Sequence, residues 1–184
     1  RTPKFMQKTR SHWAWVPPLY FIEGLPNAVV ASLSVGYYMS MGVGNAQAAM
    51  LTSGLYLPWF LKGLWGPFVD SVSSKRGWIL FCSAVFAACF AGLAAAGFMP
   101  RWIAASALMF WTLGFASATF DIAADGFYML ALDEKSQSFF VGIRNAFYRA
   151  AVLFGQGATL VIAGRCRDFF DSAAGGWAVA FLLC

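Results

Sequence analysis

Two long apolar runs within residues 116–157 carry charged side chains, and a short polar segment at 133–137 separates the runs. A charged side chain inside a membrane-spanning helix costs roughly 2.5–3.5 kcal/mol unless it is paired or faces water. The pattern therefore predicts two helices whose charges meet in a shielded interior. The four charges are Asp121 and Asp125 in the first run, and Arg144 and Arg149 in the second.

The spacing of these charges about the polar segment predicts one pairing. Asp121 lies fourteen residues before Lys135, and Arg149 lies fourteen residues after it. In two antiparallel helices of equal rise, both residues then lie at the same depth, about 20 Å from the connection. We expect an ion pair between Asp121 and Arg149, because either charge alone in the membrane is costly.

The same register places Asp125 opposite Asn145, with Arg144 one residue away. Asp121 and Asp125 are four residues apart and share a helix face, so carboxylates and guanidinium groups can neutralise each other. Such pairs fit a structural clamp between helices as well as a direct role in transport, and both roles remain open.

Composition places the chain among membrane proteins that span the bilayer several times. Of 184 residues, 60% are hydrophobic and 11% are charged, whereas a soluble domain carries about 25% charged residues. The apolar runs are long and do not alternate, which indicates helices and excludes a membrane β-barrel. The net charge of +5 comes without a basic run, so nucleic acid is not a predicted partner.

The predicted fold is an all-α membrane protein with five complete transmembrane helices and the start of a sixth. A basic flank, residues 1–12, precedes a helical bundle at 13–184. Because the chain begins with Arg1 and stops nine residues into its last apolar run, we expect a fragment of a longer protein. The predicted spans are 13–39, 46–69, 78–99, 102–132 and 138–164, and the sixth begins at Gly176.

The first two spans carry further polar residues. Pro26 lacks an N–H group, so the sequence predicts a kink and a freed carbonyl at Ile22. An acid, a kink and an amide close together, here Glu23, Pro26 and Asn27, are typical of a helix that lines a cavity. The alternative is a kink that faces lipid with a snorkelling acid. Lys62 lies within the second span, about 10 Å from its end.

The distribution of lysine and arginine predicts the orientation of the chain. Basic residues are more numerous on the side of the N-terminal flank, which indicates a cytoplasmic N-terminus. That side holds Arg1, Lys4, Lys8, Arg10, Lys75, Arg76 and Lys135, and the other side holds Arg101, Arg165 and Arg167.

Catalytic, metal and cofactor sites are not predicted. The single histidine, His12, lies outside the spans, so no nucleophile has a histidine base beside it. The four cysteines lack a CxxC spacing, and the three that lie in or beside apolar runs are interpreted as small apolar residues. The two intramembrane aspartates could suggest a proteolytic dyad, but the nearby arginines favour keeping both carboxylates ionised. The chain is therefore not expected to be an enzyme.

Several segments in order resemble a known family of transporters. The segment 66–77, with Asp70 before Lys75 and Arg76, resembles a loosened form of the loop signature between the second and third helices of the major facilitator superfamily. More specifically, the chain is similar to the AmpG-like muropeptide permeases, a branch that includes acetyl-CoA transporters. The matching segments are YFIEGLP at 20–26, KGLWGPFVD at 62–70, DIAADG at 121–126 and FYR at 147–149.

This resemblance implies a transporter of two six-helix halves, of which this chain supplies most of the N-terminal half. It implies proton-driven import of anhydro-muropeptides across a bacterial inner membrane, for cell-wall recycling. The alternatives are a transporter of acetyl-CoA or another anionic metabolite from the same branch, and a membrane scaffold or sensor. The implied partners are the solute, protons, the lipid bilayer and the C-terminal half of the same chain.

The candidate site combines two groups of residues. Substrate binding or proton coupling is assigned to Glu23, Asn27, Lys62, Asp121, Asp125, Arg144, Asn145 and Arg149. Gating is assigned to the loop residues Asp70, Lys75 and Arg76.

Overall fold

The computed structural model describes residues 12–184, and every regular element in that range is a helix. Most of the basic flank predicted at 1–12, including Arg1, Lys4, Lys8 and Arg10, lies outside the described residues. Short 3-10 turns occupy His12–Ala14 and Gly54–Tyr56. The helices are α1 Val16–Ala28, α2 Ser34–Ser40, α3 Asn45–Ser53, α4 Leu57–Val72, α5 Lys75–Ala96, α6 Trp102–Ala131, α7 Glu134–Phe170 and α8 Ala173–Leu182.

Four helical segments are long and apolar enough to cross a membrane, which agrees with the predicted all-α membrane class. They are His12–Ser40, Lys75–Ala96, Trp102–Ala131 and Glu134–Phe170.

The span predicted at 46–69 is not among these four segments, because it is divided into α3, a 3-10 turn and α4. Pro58, the second residue of α4, explains the division. Proline has no N–H to continue the hydrogen bonding of α3, and its ring suits the first turn of a new helix.

The irregularity in the first span lies later than the sequence predicts. α1 continues through Pro26 to Ala28, and a π-helical segment, Val29–Leu33, follows and leads into α2. A π-helical turn takes up an extra residue without ending the helix. The wider turn begins three residues after Pro26, and the kink at Pro26 itself stays a prediction.

Two connections are shorter than predicted. The connection expected at 71–77 is reduced to two residues, because α5 begins early. The Ser74 hydroxyl caps α5 by accepting a hydrogen bond of 3.1 Å from the Gly77 amide. The connection expected at 133–137 is likewise reduced, because α7 begins at Glu134.

The loop expected at 165–175 is mostly helical, since α7 runs on to Phe170. The chain turns at Asp171, whose φ of 47° ends the helix in the left-handed conformation. Ser172 then starts α8 by accepting a hydrogen bond of 3.2 Å from the Gly175 amide. The charges of this stretch extend α7 instead of forming a free loop.

The packing order of the helices determines which side chains can meet. α1 packs along α7 and also along α6, α4 and α5 pack on α6, and α8 packs on α7 and α5. α6 and α7 are consecutive in sequence but do not pack along each other. The side-by-side packing of these two helices, which the predicted register assumed, is therefore wrong, because α1 lies against both of them. The two helices do meet near their connection, where the Tyr128 hydroxyl donates to the Gln137 carbonyl oxygen at 2.6 Å.

The α1–α7 contact depends on small residues. A Cβ atom built on Gly24 would lie 2.6 Å from the Tyr148 carbonyl oxygen, and one on Gly155 would lie 2.9 Å from Ala28 Cβ. Gly157 and Gly164 on the same helix take no part in such a contact, since among the described residues an added Cβ would meet no atom within 4 Å.

Candidate functional site

Charged and phenolic side chains from α1, α4, α6 and α7 converge inside the bundle. We call this group the polar centre. It consists of Tyr20, Glu23, Lys62, Asp121, Asp125 and Arg144. Two pairs of its members share a helix face, because Tyr20 and Glu23 are three residues apart on α1 and Asp121 and Asp125 are four apart on α6. Five of these six residues are among those that the sequence analysis assigned to the site.

Asp125, Arg144 and Tyr20 form one hydrogen-bonded group. Arg144 Nη1 donates to Asp125 Oδ1 at 2.9 Å and to the Tyr20 hydroxyl oxygen at 2.9 Å. The Tyr20 hydroxyl in turn donates to Asp125 Oδ1 at 3.0 Å. The guanidinium also lies over the rings of Tyr20 and Tyr128, at 4.9 and 5.1 Å from their centroids. These contacts give the arginine both a counter-ion and two aromatic faces.

Asp121 pairs with Lys62 on α4, and their charged atoms are 3.4 Å apart. The predicted ion pair between Asp121 and Arg149 is wrong. Equal depth is not sufficient for contact, because α6 and α7 do not lie side by side. Arg144 and Arg149 are five residues apart, which turns them about 140° from each other around the helix. Only Arg144 is directed towards the centre.

Glu23 is buried, with 8% of its surface exposed, and this burial excludes the alternative of a snorkelling acid at a lipid-facing kink. Its Oε2 atom has no hydrogen-bond partner among residues 12–184. The side chain lies close enough to Asp121, Asp125, Arg144 and Lys62 to interact with them electrostatically. A buried carboxyl oxygen without a partner is costly, so it marks Glu23 as unlike the paired aspartates.

Three predicted site residues make none of these contacts. Asn27 is half-buried on α1, and Asn145 and Arg149 are exposed on α7. In the described part of the chain, none of the three forms a side-chain hydrogen bond or an ion pair. Their roles in binding or coupling stay predictions.

The predicted gating loop contains one ion pair. Lys75 Nζ contacts the Asp70 carboxylate, which joins the start of α5 to the end of α4. The Lys75 side chain also covers Gly126 on α6, where an added Cβ would lie 2.7 Å from Lys75 Cε. Arg76 is exposed and takes no part. Two of the three predicted residues therefore connect three helices at one end of the bundle.

Tyr20 is the member of the polar centre to which the sequence analysis assigned no role. A signal was present, because Tyr20 lies three residues before Glu23 and so shares its helix face. Its phenol is uncharged, so it lacks the cost in a membrane that distinguishes the other five residues. Its hydroxyl acts as both donor and acceptor, a capacity that lets one group connect an acid to a base.

The polar centre holds three carboxyl groups against two basic groups. Lys62 and Arg144 neutralise Asp121 and Asp125, which leaves Glu23 without a cation of its own. Among the described residues, no group of histidine, cysteine, aspartate and glutamate side chains is arranged to hold a metal ion. Buried carboxyl groups without a counter-ion take up a proton rather than remain charged. The arrangement can therefore hold and release one proton next to two ion pairs.

Comparison with known proteins adds no identification. No family model matches the sequence, and no solved structure matches the chain. Function is therefore argued from the chemistry of the site, since a fold alone does not determine function.

Proposed function

We propose that this chain is part of a secondary active transporter that couples solute movement to protons through the polar centre. The observation that carries the proposal is Glu23, a buried carboxyl group without a hydrogen-bond partner for Oε2 beside two ion pairs. Acidic groups inside membrane helices belong to proton and ion pathways in many pumps and transporters. The resemblance to the AmpG-like branch of the major facilitator superfamily supports the same function.

The ion pairs favour a moving protein over a static scaffold. Buried ion pairs are weak stabilisers compared with apolar packing, so a scaffold gains little from them. In a transporter, such pairs can separate and form again as one group of helices rocks against another. Lys62–Asp121 connects α4 to α6, and Asp125–Arg144 connects α6 to α7, so both pairs respond to relative helix movement. The Asp70–Lys75 pair would act as a gate between α4 and α5.

The finer features of the proposal follow from the resemblance. The chain would supply the N-terminal half of a two-half bundle, with five spans and part of a sixth, in a bacterial inner membrane. The divided helix Asn45–Val72 would serve as the second span. The solute would be an anhydro-muropeptide or a related cell-wall fragment, and the alternative is acetyl-CoA or another anionic metabolite. Uptake would then need the second half.

The test is uptake of a labelled anhydro-muropeptide by vesicles that contain the purified full-length protein. With an imposed proton gradient, we expect accumulation that an uncoupler abolishes. Uptake that ignores the uncoupler would reject proton coupling, and an absence of uptake would reject this solute in favour of acetyl-CoA, assayed in the same vesicles. An absence of uptake for both solutes would favour a scaffold or sensor.

The role of Glu23 is tested by the substitution Glu23→Gln, which removes the exchangeable proton and keeps the shape. We expect loss of gradient-driven accumulation while solute exchange across the membrane continues. Glu134→Gln is the matched control, because Glu134 is exposed at the start of α7. Full accumulation by Glu23→Gln would show that another group carries the coupling proton.

A further inference from the structure

Residues 12–184 leave one face of α7 uncovered along much of its length. Its members recur at helical spacing and are exposed. A Cβ atom added to any of its three glycines would meet no other atom within 4 Å. We call this surface the open face of α7. It consists of Gly142, Ala146, Arg149, Leu153, Gly157 and Gly164.

Arg149 lies in the middle of this face and far from both ends of the membrane span. It is fourteen residues from Lys135 and sixteen from Arg165, which is about 21 and 24 Å along the helix. An arginine side chain is too short to reach either end. Facing lipid at this depth, a guanidinium would cost at least about 2.5–3.5 kcal/mol. The open face therefore does not face lipid.

The other two cations inside the spans are already neutralised. Lys62 pairs with Asp121, and Arg144 pairs with Asp125. Arg149 has no ion pair among residues 12–184, so its guanidinium keeps all of its donors. A guanidinium binds carboxylate and phosphate groups through two parallel hydrogen bonds. The glycines leave room beside it for such a group.

We propose that the open face of α7 lines a water-filled path and that Arg149 binds a carboxylate or phosphate group of the transported solute. This proposal rests on the proposed transport function and narrows the solute to an anion. Arg149 acts as the ligand for the anion, while the paired arginine and lysine hold the helices.

The test measures how fast a cysteine at position 153, one turn from Arg149, reacts with water-soluble thiol reagents in vesicles. The four native cysteines are first replaced by serine or alanine. We expect Leu153→Cys to react and Ala151→Cys to remain inert, because Ala151 is fully buried on the same helix. An inert Leu153→Cys would overturn the proposal, because the open face would then be covered by lipid or by another protein segment.

The charge of the reagent tests the anion site itself. The measured quantity is the rate with a negatively charged sulfonate reagent divided by the rate with a positively charged trimethylammonium reagent. For Leu153→Cys, this ratio should be about tenfold higher when Arg149 is present than in the Arg149→Gln background. Arg149→Lys keeps the positive charge and should keep the preference for the sulfonate reagent. This variant provides the test if Arg149→Gln folds poorly. Inorganic phosphate should slow the sulfonate reagent only when Arg149 is present. An equal preference with and without Arg149 would overturn the anion site.

These rates do not depend on transport. Vesicles that fail to accumulate solute in response to protons would reject the proposed coupling and leave the reactivity at position 153 unchanged. An unreactive position 153 would reject the open path and leave the proton role of Glu23 standing.

Discussion

Asp125 on α6 and Arg144 on α7 form an ion pair of 2.9 Å although their helices do not pack along each other. The gap between the two helices is filled by α1, whose Tyr20 hydroxyl contacts both charged groups. The pair therefore depends on a third helix. Movement of α1 would change the contact between α6 and α7 even if neither of those helices moved.

Tyr20→Phe should destabilise the protein, because it removes one donor to Asp125 and one acceptor from Arg144 while keeping the ring. The expected loss is about 1–2 kcal/mol of unfolding free energy. It is measured as a lower midpoint of thermal aggregation in detergent. Tyr56→Phe is the matched control, because the Tyr56 side chain is 46% exposed and should tolerate the change. Equal stability of the two variants would show that the hydroxyl contacts contribute nothing.

Asp121 should couple energetically to Lys62 and not to Arg149. In a double-mutant cycle, Asp121→Asn with Lys62→Gln should show a coupling of about 0.5–2 kcal/mol. The value is modest because the Lys62 side chain is 40% exposed. Asp121→Asn with Arg149→Gln should be additive within about 0.5 kcal/mol. Unfolding in a denaturing detergent gives both values, and strong coupling to Arg149 would contradict the observed pairing.

Gly24→Ala should weaken the contact between α1 and α7, because the added methyl group meets the Tyr148 carbonyl oxygen at 2.6 Å. Backbone cannot move aside as a flexible side chain can, so we expect a loss of about 1–3 kcal/mol. Gly157→Ala serves as the control on α7, where the added methyl meets no atom within 4 Å. Comparable thermal stability of the two variants would place α1 further from α7 than described.

The connections near residues 73 and 173 should lie on opposite sides of the membrane, with the former in the cytoplasm. The excess of basic residues on the side of Lys75 and Lys135 gives this orientation. In a cysteine-free background, an impermeant thiol reagent added to intact cells should label Ala173→Cys and not Ser73→Cys. Both substitutions leave the capping residues Ser74 and Ser172 in place. The reverse labelling would invert the topology.

The sequence was sufficient to predict most of the charges that face inwards, although Arg149, predicted with them, lies exposed on α7. The cost of charge in lipid made Glu23, Lys62, Asp121 and Asp125 candidates, and the structure brings all four together. It was not sufficient to predict the pairing of Asp121. Distance along a helix gives depth, but contact also depends on direction around the helix and on which helices are neighbours. Those depend on close packing across the whole bundle.

The effects of glycine and proline residues also depend on packing that the sequence alone does not predict. Gly155 lies in a close contact and Gly157 in open space, although they are two residues apart and alike in sequence. Pro58 divides the second span, whereas α1 continues through Pro26. Pro58 follows a 3-10 turn and lies in the first turn of a new helix. Pro26 lies inside α1, and the helix continues through it. The sequence therefore predicts that a proline interrupts the hydrogen bonding of a helix, and packing determines whether the helix ends there.

The π-helical segment Val29–Leu33 separates two differently used halves of the first span. Before it, Tyr20 and Glu23 face ion pairs, and after it Tyr37 lies fully buried among aromatic rings. One residue more or fewer in this wide turn rotates one half by about 100° relative to the other. Insertion or removal of a single residue here would turn Glu23 away from the ion pairs, while Tyr37 stayed packed among the aromatic rings. The length of the π-helical segment therefore sets the rotation of the charged half of the first span relative to its aromatic half.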